Sequence, residues 1–374
     1  MKPIWIVSAR RTPQGKFLGT LAKHSAVELG VAAGAAVLEG IDPALVDYVI
    51  AGNVLGAGLG MNVARQIGLG LGIPEAAPAF TVNMMCASGL QAVILGAQSI
   101  QTGAAGVVLC GGAESMSNAP HLLPRARTGY KLGDGVLVDT LLRDGLTDAF
   151  SGEHMGLTAE RIADEFGIRR EAQDEFAARS QQRYGTAVAK GRLNTEIVAV
   201  DGLAHDEFAR PDTTPEKLAG LKPVFKAGGS VTPGNASGIN DGAAMLLLCD
   251  EETGRRQGWE PMMIFGRSAA VGCSPAMMGL GPVHAVRKLG VPVDDFDMIE
   301  LNEAYAVQAL ACIHELGLDP AHVNPDGGAI ALGHPIGASG ARLLVHLCHA
   351  RPKKGLATLC VGGGMGVAAI LERP

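Results

Sequence analysis

Short apolar runs alternate along this chain with longer stretches whose apolar residues recur at helical spacing. Residues 4–8, 48–51 and 107–110 have strand length, and residues 26–39 and 89–101 have the length and spacing of helices. The pattern returns near the C-terminus. Residues 262–266, 298–301 and 357–361 predict strands, and residues 283–289, 304–316 and 340–350 predict helices. Such alternation points to layered α/β halves.

The two ends also resemble each other in detail. Asp47-Tyr48-Val49-Ile50 is echoed by Asp297-Met298-Ile299-Glu300, and Ala87-Ser88-Gly89 by Ala338-Ser339-Gly340. Leu109-Cys110-Gly111-Gly112 is echoed by Leu359-Cys360-Val361-Gly362. The offset is 250 or 251 residues each time, in order, which implies a duplicated domain. It is far too long a period for a solenoid.

Between the copies lies a more polar segment, residues 118–237, with one amphipathic helix over 170–190 and few strand signals. It reads as an insertion into the first half, which residues 243–249 then close as a strand. The division expected is residues 1–117 plus 238–260, the insertion 118–237, and a second half from 261 to 374.

Composition narrows the function classes. The 374 residues carry a formal net charge of -6, against a general nucleic-acid or membrane-surface binder. No apolar run approaches the ~18 residues of a membrane helix, and the first strand is too short for a signal peptide. Seven cysteines without a Cys-x-x-Cys suit a reducing cytoplasm rather than a disulfide or zinc framework. His346 and His349 share a helix but show no third ligand nearby, so no metal site is expected.

Four places could carry chemistry. Cys86, in Asn83-Met84-Met85-Cys86-Ala87-Ser88-Gly89, directly precedes a helical run, where free N–H groups and the helix dipole favour a thiolate. A lone cysteine is more often an inert core residue, the reading preferred for Cys110. His334 lies in Gly333-His334-Pro335-Ile336-Gly337-Ala338-Ser339-Gly340. Pro335 holds it extended, and Ser339 is an acceptable N-cap for the next helix. At the repeat offset His334 falls opposite Asn83, so a pseudo-twofold would bring it to Cys86. Cys360 ends a strand and opens onto glycines whose N–H groups could hold an oxyanion. Asn302 follows another strand, where a helix cap and a site residue are equally natural readings. The Met84-Met85 pair is read as packing.

Taken together, these blocks resemble the thiolase family. They are residues 83–89, 235–242, 302–306, 327–340 and 360–366, in the family's order across essentially the whole chain. The resemblance implies an α/β duplicated thiolase fold, five-layered αβαβα, with a loop domain covering coenzyme A. It implies reversible Claisen condensation and thiolysis between acetyl-CoA and 3-oxoacyl-CoA, closest to the short-chain acetoacetyl type. Cys86 would carry the acyl group, His334 would activate it, and Cys360 would move the α-carbon proton. Asn302 would position a water that completes one oxyanion hole with His334. The N–H groups of Cys86 and Gly362 would form the second. Arg210 resembles a CoA-phosphate contact, Ser237 a pantetheine contact, and His154 and Met155 the short-chain pocket. Tyr305 stands where that subgroup usually has Phe.

Coenzyme A would act as co-substrate, with no bound cofactor or metal, in a cytoplasmic homodimer or homotetramer. Other condensing enzymes of this fold lack the second cysteine in a Cys-x-Gly-Gly-Gly turn. A non-catalytic acyl-CoA or lipid carrier would be expected to lose Cys86, His334 or Cys360. All three are present.

Overall fold

The protein is described by a computed structural model covering residues 2–374. The first half runs β1 (Ile4–Arg11), α1 (Ala26–Val37), β2 (Tyr48–Gly52), α2 (Val63–Gly70), β3 (Ala79–Val82), α3 (Ser88–Gln101) and β4 (Val107–Ser115). The chain then leaves the sheet for a segment containing α4 (Met155–Phe166) and α5 (Arg170–Ala189), and returns as β5 (Asn240–Asp250). The second half runs β6 (Met263–Gly272), α6 (Gly281–Leu289), β7 (Met298–Leu301), α7 (Ala306–Leu316), α8 (Ile336–Ala350), β8 (Lys354–Val361) and β9 (Met365–Glu372).

The sequence repeat is a symmetry of strand order. The hydrogen-bonded path is β7-β8-β9-β6-β1-β5-β4-β2-β3. Its seam is the short antiparallel pairing of Ile4–Ile6 with Met263–Phe265. Outward from that seam each half shows two antiparallel pairings and then a parallel one. The repeated aspartates do the same work twice. Asp47 Oδ2 accepts from the N–H of Gly106 (2.7 Å) and Val107 (2.9 Å), anchoring the start of β4 beside β2. Asp297 Oδ2 accepts from the N–H of Lys354 (2.9 Å), anchoring β8 beside β7.

The layers follow from which faces are apolar. In β5, Leu246 and Leu248 point into a central core while Met245, Leu247 and Cys249 point into an outer one. Both faces are covered, so the strand reads as an unbroken apolar run. The central core is filled by Leu90, Val93 and Ile94 of α3 and Leu343, Leu344 and Leu347 of α8, with strand residues from both halves. Helix α8 is buried from Ile336 through Cys348, as a helix between two sheets must be. Helices α1 and α2 cover the outer face of the first half, and α6 and α7 that of the second. This is the five-layered αβαβα arrangement.

Several elements depart from the sequence reading. Strands β1 and β4 run on to Arg11 and Ser115 because their polar ends are buried and paired instead of looped out. The insertion holds a second helix, α4, and α5 buries Gln173, Asp174, Ser180 and Gln181 along with its apolar residues. Strands β3 and β9 add to the predicted set. Helix α8 starts at Ile336, so Ser339 lies inside it and is not its N-cap. The N-cap of α7 is Tyr305, so Asn302 caps nothing.

His346 is not short of carboxylates. Its Nδ1 lies 2.8 Å from Glu196, and Nε2 lies 3.5 Å from Asp326 and 3.9 Å from Glu300. Arg11 joins Glu196 (2.7 Å) and Asp206 (2.6 Å), and Arg342 joins Glu300 (2.7 Å). This buried network ties the insertion to β1, β7 and α8. Against its desolvation, Glu196 and Glu300 push His346 up to about 10, so it is a cation here. No helix among the described residues is long and apolar enough to cross a membrane.

Candidate active site

Both central helices begin at the same place. The turn from β3 to α3 carries Cys86. Asn83 Oδ1 accepts from the Met85 N–H (3.0 Å), and Ser88 Oγ accepts from the Met84 N–H (2.9 Å) while donating to the Met85 carbonyl (2.6 Å). These bonds hold Met85 at φ 48, a left-handed conformation that a non-glycine residue adopts at a cost of about 1–3 kcal/mol. Strain held by surrounding bonds is common where a side chain must be aimed.

His334 is held from three sides. Its N–H donates to Asn240 Oδ1 (2.9 Å). The preceding Gly333 has φ 113, and a Cβ there would lie 2.4 Å from the Asn240 amide, so only glycine fits. Ser339 Oγ lies 2.6 Å from Nδ1 and 2.9 Å from the Pro335 carbonyl. A hydroxyl has one proton. Ser339 gives it to the carbonyl and therefore accepts from Nδ1–H, leaving Nε2 as the bare nitrogen. Asn302 Nδ2 is 3.5 Å from that Nε2. Burial first, and the Arg342 cation second, pull His334 down to about 4, so the ring is neutral and able to take a proton.

Cys86 does not rest as a thiolate. Burial pushes its thiol up to about 11, outweighing the backbone N–H groups of Gly362 and of Cys86 itself, which favour the charged form. The helix-start argument weighed the helix's free N–H groups and dipole and left out burial, which wins here. Cys360, on the last turn-facing residues of β8, is raised well above the usual thiol value by burial and then by neighbouring Cys86. Cys110 is fully buried in the central core, away from the site.

One cavity of about 770 Å³ collects these groups. Cys86, His334, Cys360, Gly362, His154, Met155, Arg210, Ser237 and Tyr305 all line it. Asn302 does not. It is fully buried behind His334, with Oδ1 unpartnered. Residues that the sequence reading missed also line the cavity: Met85, Met278, Phe225 and Lys16. Phe225 stacks on His154 with centroids 4.6 Å apart. A Cβ on Gly156 would lie 2.3 Å from the Phe225 ring, so the glycine after Met155 was its one local signal.

A neutral base beside a thiol, a second thiol and inward N–H donors in one apolar cavity suit carbon–carbon bond chemistry on a thioester. The comparisons with known proteins agree. Residues 4–252 match the thiolase N-terminal domain and residues 259–373 the thiolase C-terminal domain. The chain belongs to the thiolase family. It is similar to the acetyl-CoA acetyltransferases of Chromobacterium violaceum (51% identity, 99% of each chain) and Escherichia coli (50%, 100% of each). Its fold matches human mitochondrial 3-ketoacyl-CoA thiolase in complex with CoA, with TM-score 0.97 and 41% identity over 100% of this chain and 98% of that one. The protein is thus an acyltransferase of reversible Claisen condensation and thiolysis.

Ser339→Ala is expected to slow Cys86 acetylation by acetyl-CoA on the order of tenfold, the worth of one hydrogen bond that fixes the imidazole. Rapid-quench mass spectrometry reads this rate. A wild-type rate would show that Ser339 does not orient His334.

Proposed function

We propose that this chain transfers acetyl groups between CoA thioesters through a Cys86 acyl-enzyme, with His334 and Cys360 as separate proton carriers. The observation that supports this most is the meeting of two thiols and a neutral imidazole at one cavity, with Gly362 lining it beside them.

In this reading Cys86 attacks the thioester carbonyl as its proton passes to His334 Nε2. The charge that develops on oxygen meets the N–H groups of Cys86 and Gly362. Collapse expels CoA as a thiolate, which draws the proton of the Cys360 thiol, and leaves acetyl on Cys86 with an imidazolium at His334. Cys360 then removes a proton from the methyl group of a second acetyl-CoA. The resulting carbanion attacks the acetyl-enzyme, a 3-oxoacyl-CoA forms, and the released Cys86 thiolate takes its proton back from His334. Thiolysis runs the same steps backwards. One thiol cannot be acylated and serve as the base together, which is why two are needed. The enolate oxygen would lie at His334, assisted by a water on Asn302.

CoA is a substrate of this chemistry, and we place its phosphates near Arg210 and its pantetheine near Ser237. We further read the chain as a cytoplasmic homodimer or homotetramer that can serve fatty acid metabolism. Seven free cysteines favour a reducing compartment. The exposed Leu132, Val136, Leu137 and Phe150 of the insertion favour an assembly that covers them.

Cys360→Ala should still allow acetyl-CoA to label Cys86, and Cys86 alone. The same variant should lose deuterium exchange at the acetyl-CoA methyl by on the order of 10²–10⁴. Both half-reactions are read by mass spectrometry. Retained exchange would assign the base elsewhere, and lost labelling with exchange intact would reverse the two cysteines.

Met155, Phe225 and Tyr305 narrow the cavity, so short acyl chains should be preferred. Steady-state thiolysis across 3-oxoacyl-CoAs of increasing length measures this. A twelve-carbon chain with higher kcat/KM than acetoacetyl-CoA would contradict it.

A further inference from the structure

Tyr305 presents a donor that the rest of the chain leaves unused. Its backbone is pinned: residues 236 and 305 form an isolated antiparallel bridge, and the Ala306 N–H donates to the Asn235 carbonyl (2.8 Å). Its ring meets Phe225 edge to face, with centroids 6.3 Å apart and planes at 87°. The ring is thus braced against Phe225, and it lines the cavity that holds Cys86 and Cys360. Tyr305 is 7% exposed. None of the hydrogen bonds among the described residues involves its hydroxyl.

The hydroxyl is not among the buried unpartnered atoms, so it opens onto the cavity, where water meets it until a bound group takes water's place. The partner here must come from what enters the cavity. The group enters that bond as a donor. Burial, followed by the negative charge that Cys360 or Cys86 would carry, raises the phenol well above its usual value, so it stays protonated.

The surroundings decide which acceptor fits. Tyr305 belongs to an apolar cluster with Met155, Met278, Ala304 and Cys360, against which Phe225 packs. His154, stacked on Phe225, is pulled down by burial and is neutral. Lys16 and Arg210 line the same cavity but are not part of this apolar cluster, so a carboxylate placed within the cluster would be costly. An uncharged oxygen would need only the one donor that is present.

We propose that Tyr305 makes the acyl pocket select short acyl groups that carry an uncharged oxygen, a hydroxyl or ether a few carbons from the reacting carbonyl, by donating its O–H to that oxygen. This rests on the acyl-transfer reading above and names the substrate class of the same site. A phenylalanine would keep the apolar wall and lose the selection.

The test compares kcat/KM for thiolysis of 3-oxohexanoyl-CoA with two isosteres. In one, oxygen replaces the carbon-5 methylene (4-methoxy-3-oxobutanoyl-CoA). In the other, a hydroxyl replaces the terminal methyl (5-hydroxy-3-oxopentanoyl-CoA). The dicarboxylic analogue 3-oxohexanedioyl-CoA is run beside them. Each enzyme is its own reference, so a general change in rate cancels from the ratio. The wild type should favour at least one oxygen isostere over its ratio in Tyr305→Phe by about tenfold, the worth of one hydrogen bond. Equal ratios in the two enzymes would overturn the assignment, provided both thiolyse 3-oxohexanoyl-CoA. Preference for the dicarboxylic chain over both isosteres would overturn the choice of an uncharged oxygen. Failure of both enzymes to thiolyse any chain would instead count against the acyl-transfer reading itself.

Discussion

The first turns of α3 and α8 touch backbone to backbone, and the site exists because they do. A Cβ on Gly89 would lie 2.9 Å from both the Ala341 nitrogen and the Gly337 oxygen, and one on Gly340 would lie 2.7 Å from the Leu90 nitrogen. Gly112 of β4 sits closer still, with its notional Cβ 2.0 Å from the Gly337 oxygen. Only glycine permits such approach. The loops that precede the two helices are then forced together, and those loops carry Cys86 and His334. The duplication gives the geometry, and the differences between the copies give the chemistry. Ser88 stitches the Cys86 turn, whereas its counterpart Ser339 holds an imidazole.

The walls of the cavity are set by a second, electrostatic constraint. The network of Arg11, Glu196, Asp206, His346, Glu300 and Arg342 crosses from the insertion to both halves with almost no exposure. Buried ion pairs add little net stability over apolar packing, but removing one partner is costly because it strands the other. They therefore fix where the insertion sits. The two histidines on and before α8 show what surroundings do to one side chain. His346 among carboxylates is pushed up to about 10, while His334, buried and facing a cation, falls to about 4. One is a structural cation, the other a neutral imidazole.

Much of this was legible in the sequence, and what was not has a physical reason. The repeated Asp, Ala-Ser-Gly and Leu-Cys segments marked the duplication because each copy meets the same backbone need. The glycine-rich setting of His334 and Cys360 marked the site because close approach to a substrate excludes side chains. Charges at strand ends misled. Arg11 and Glu114 look like loop residues, yet Arg11 is paired by the insertion, and Glu114 accepts from the N–H groups of Val54, Leu55 and Gly337. Such partners lie far away in sequence. So do the carboxylates around His346 and the ring of Phe225. The Cys86 thiol was misjudged because local donors can be read from a chain, whereas the burial that outweighs them cannot.

The most direct measurement is the single-turnover rate of Cys86 acetylation by acetyl-CoA in Gly89→Ala, in protein whose far-ultraviolet circular dichroism matches the wild type. The added methyl would push α3 off α8 by a fraction of an ångström and move Cys86 relative to His334. Misplacement near 1 Å costs on the order of 10² in rate, so a fall approaching that size is expected, with helix content retained. Acetylation at the wild-type rate would show that the glycine contact between the two helices does not set the catalytic geometry.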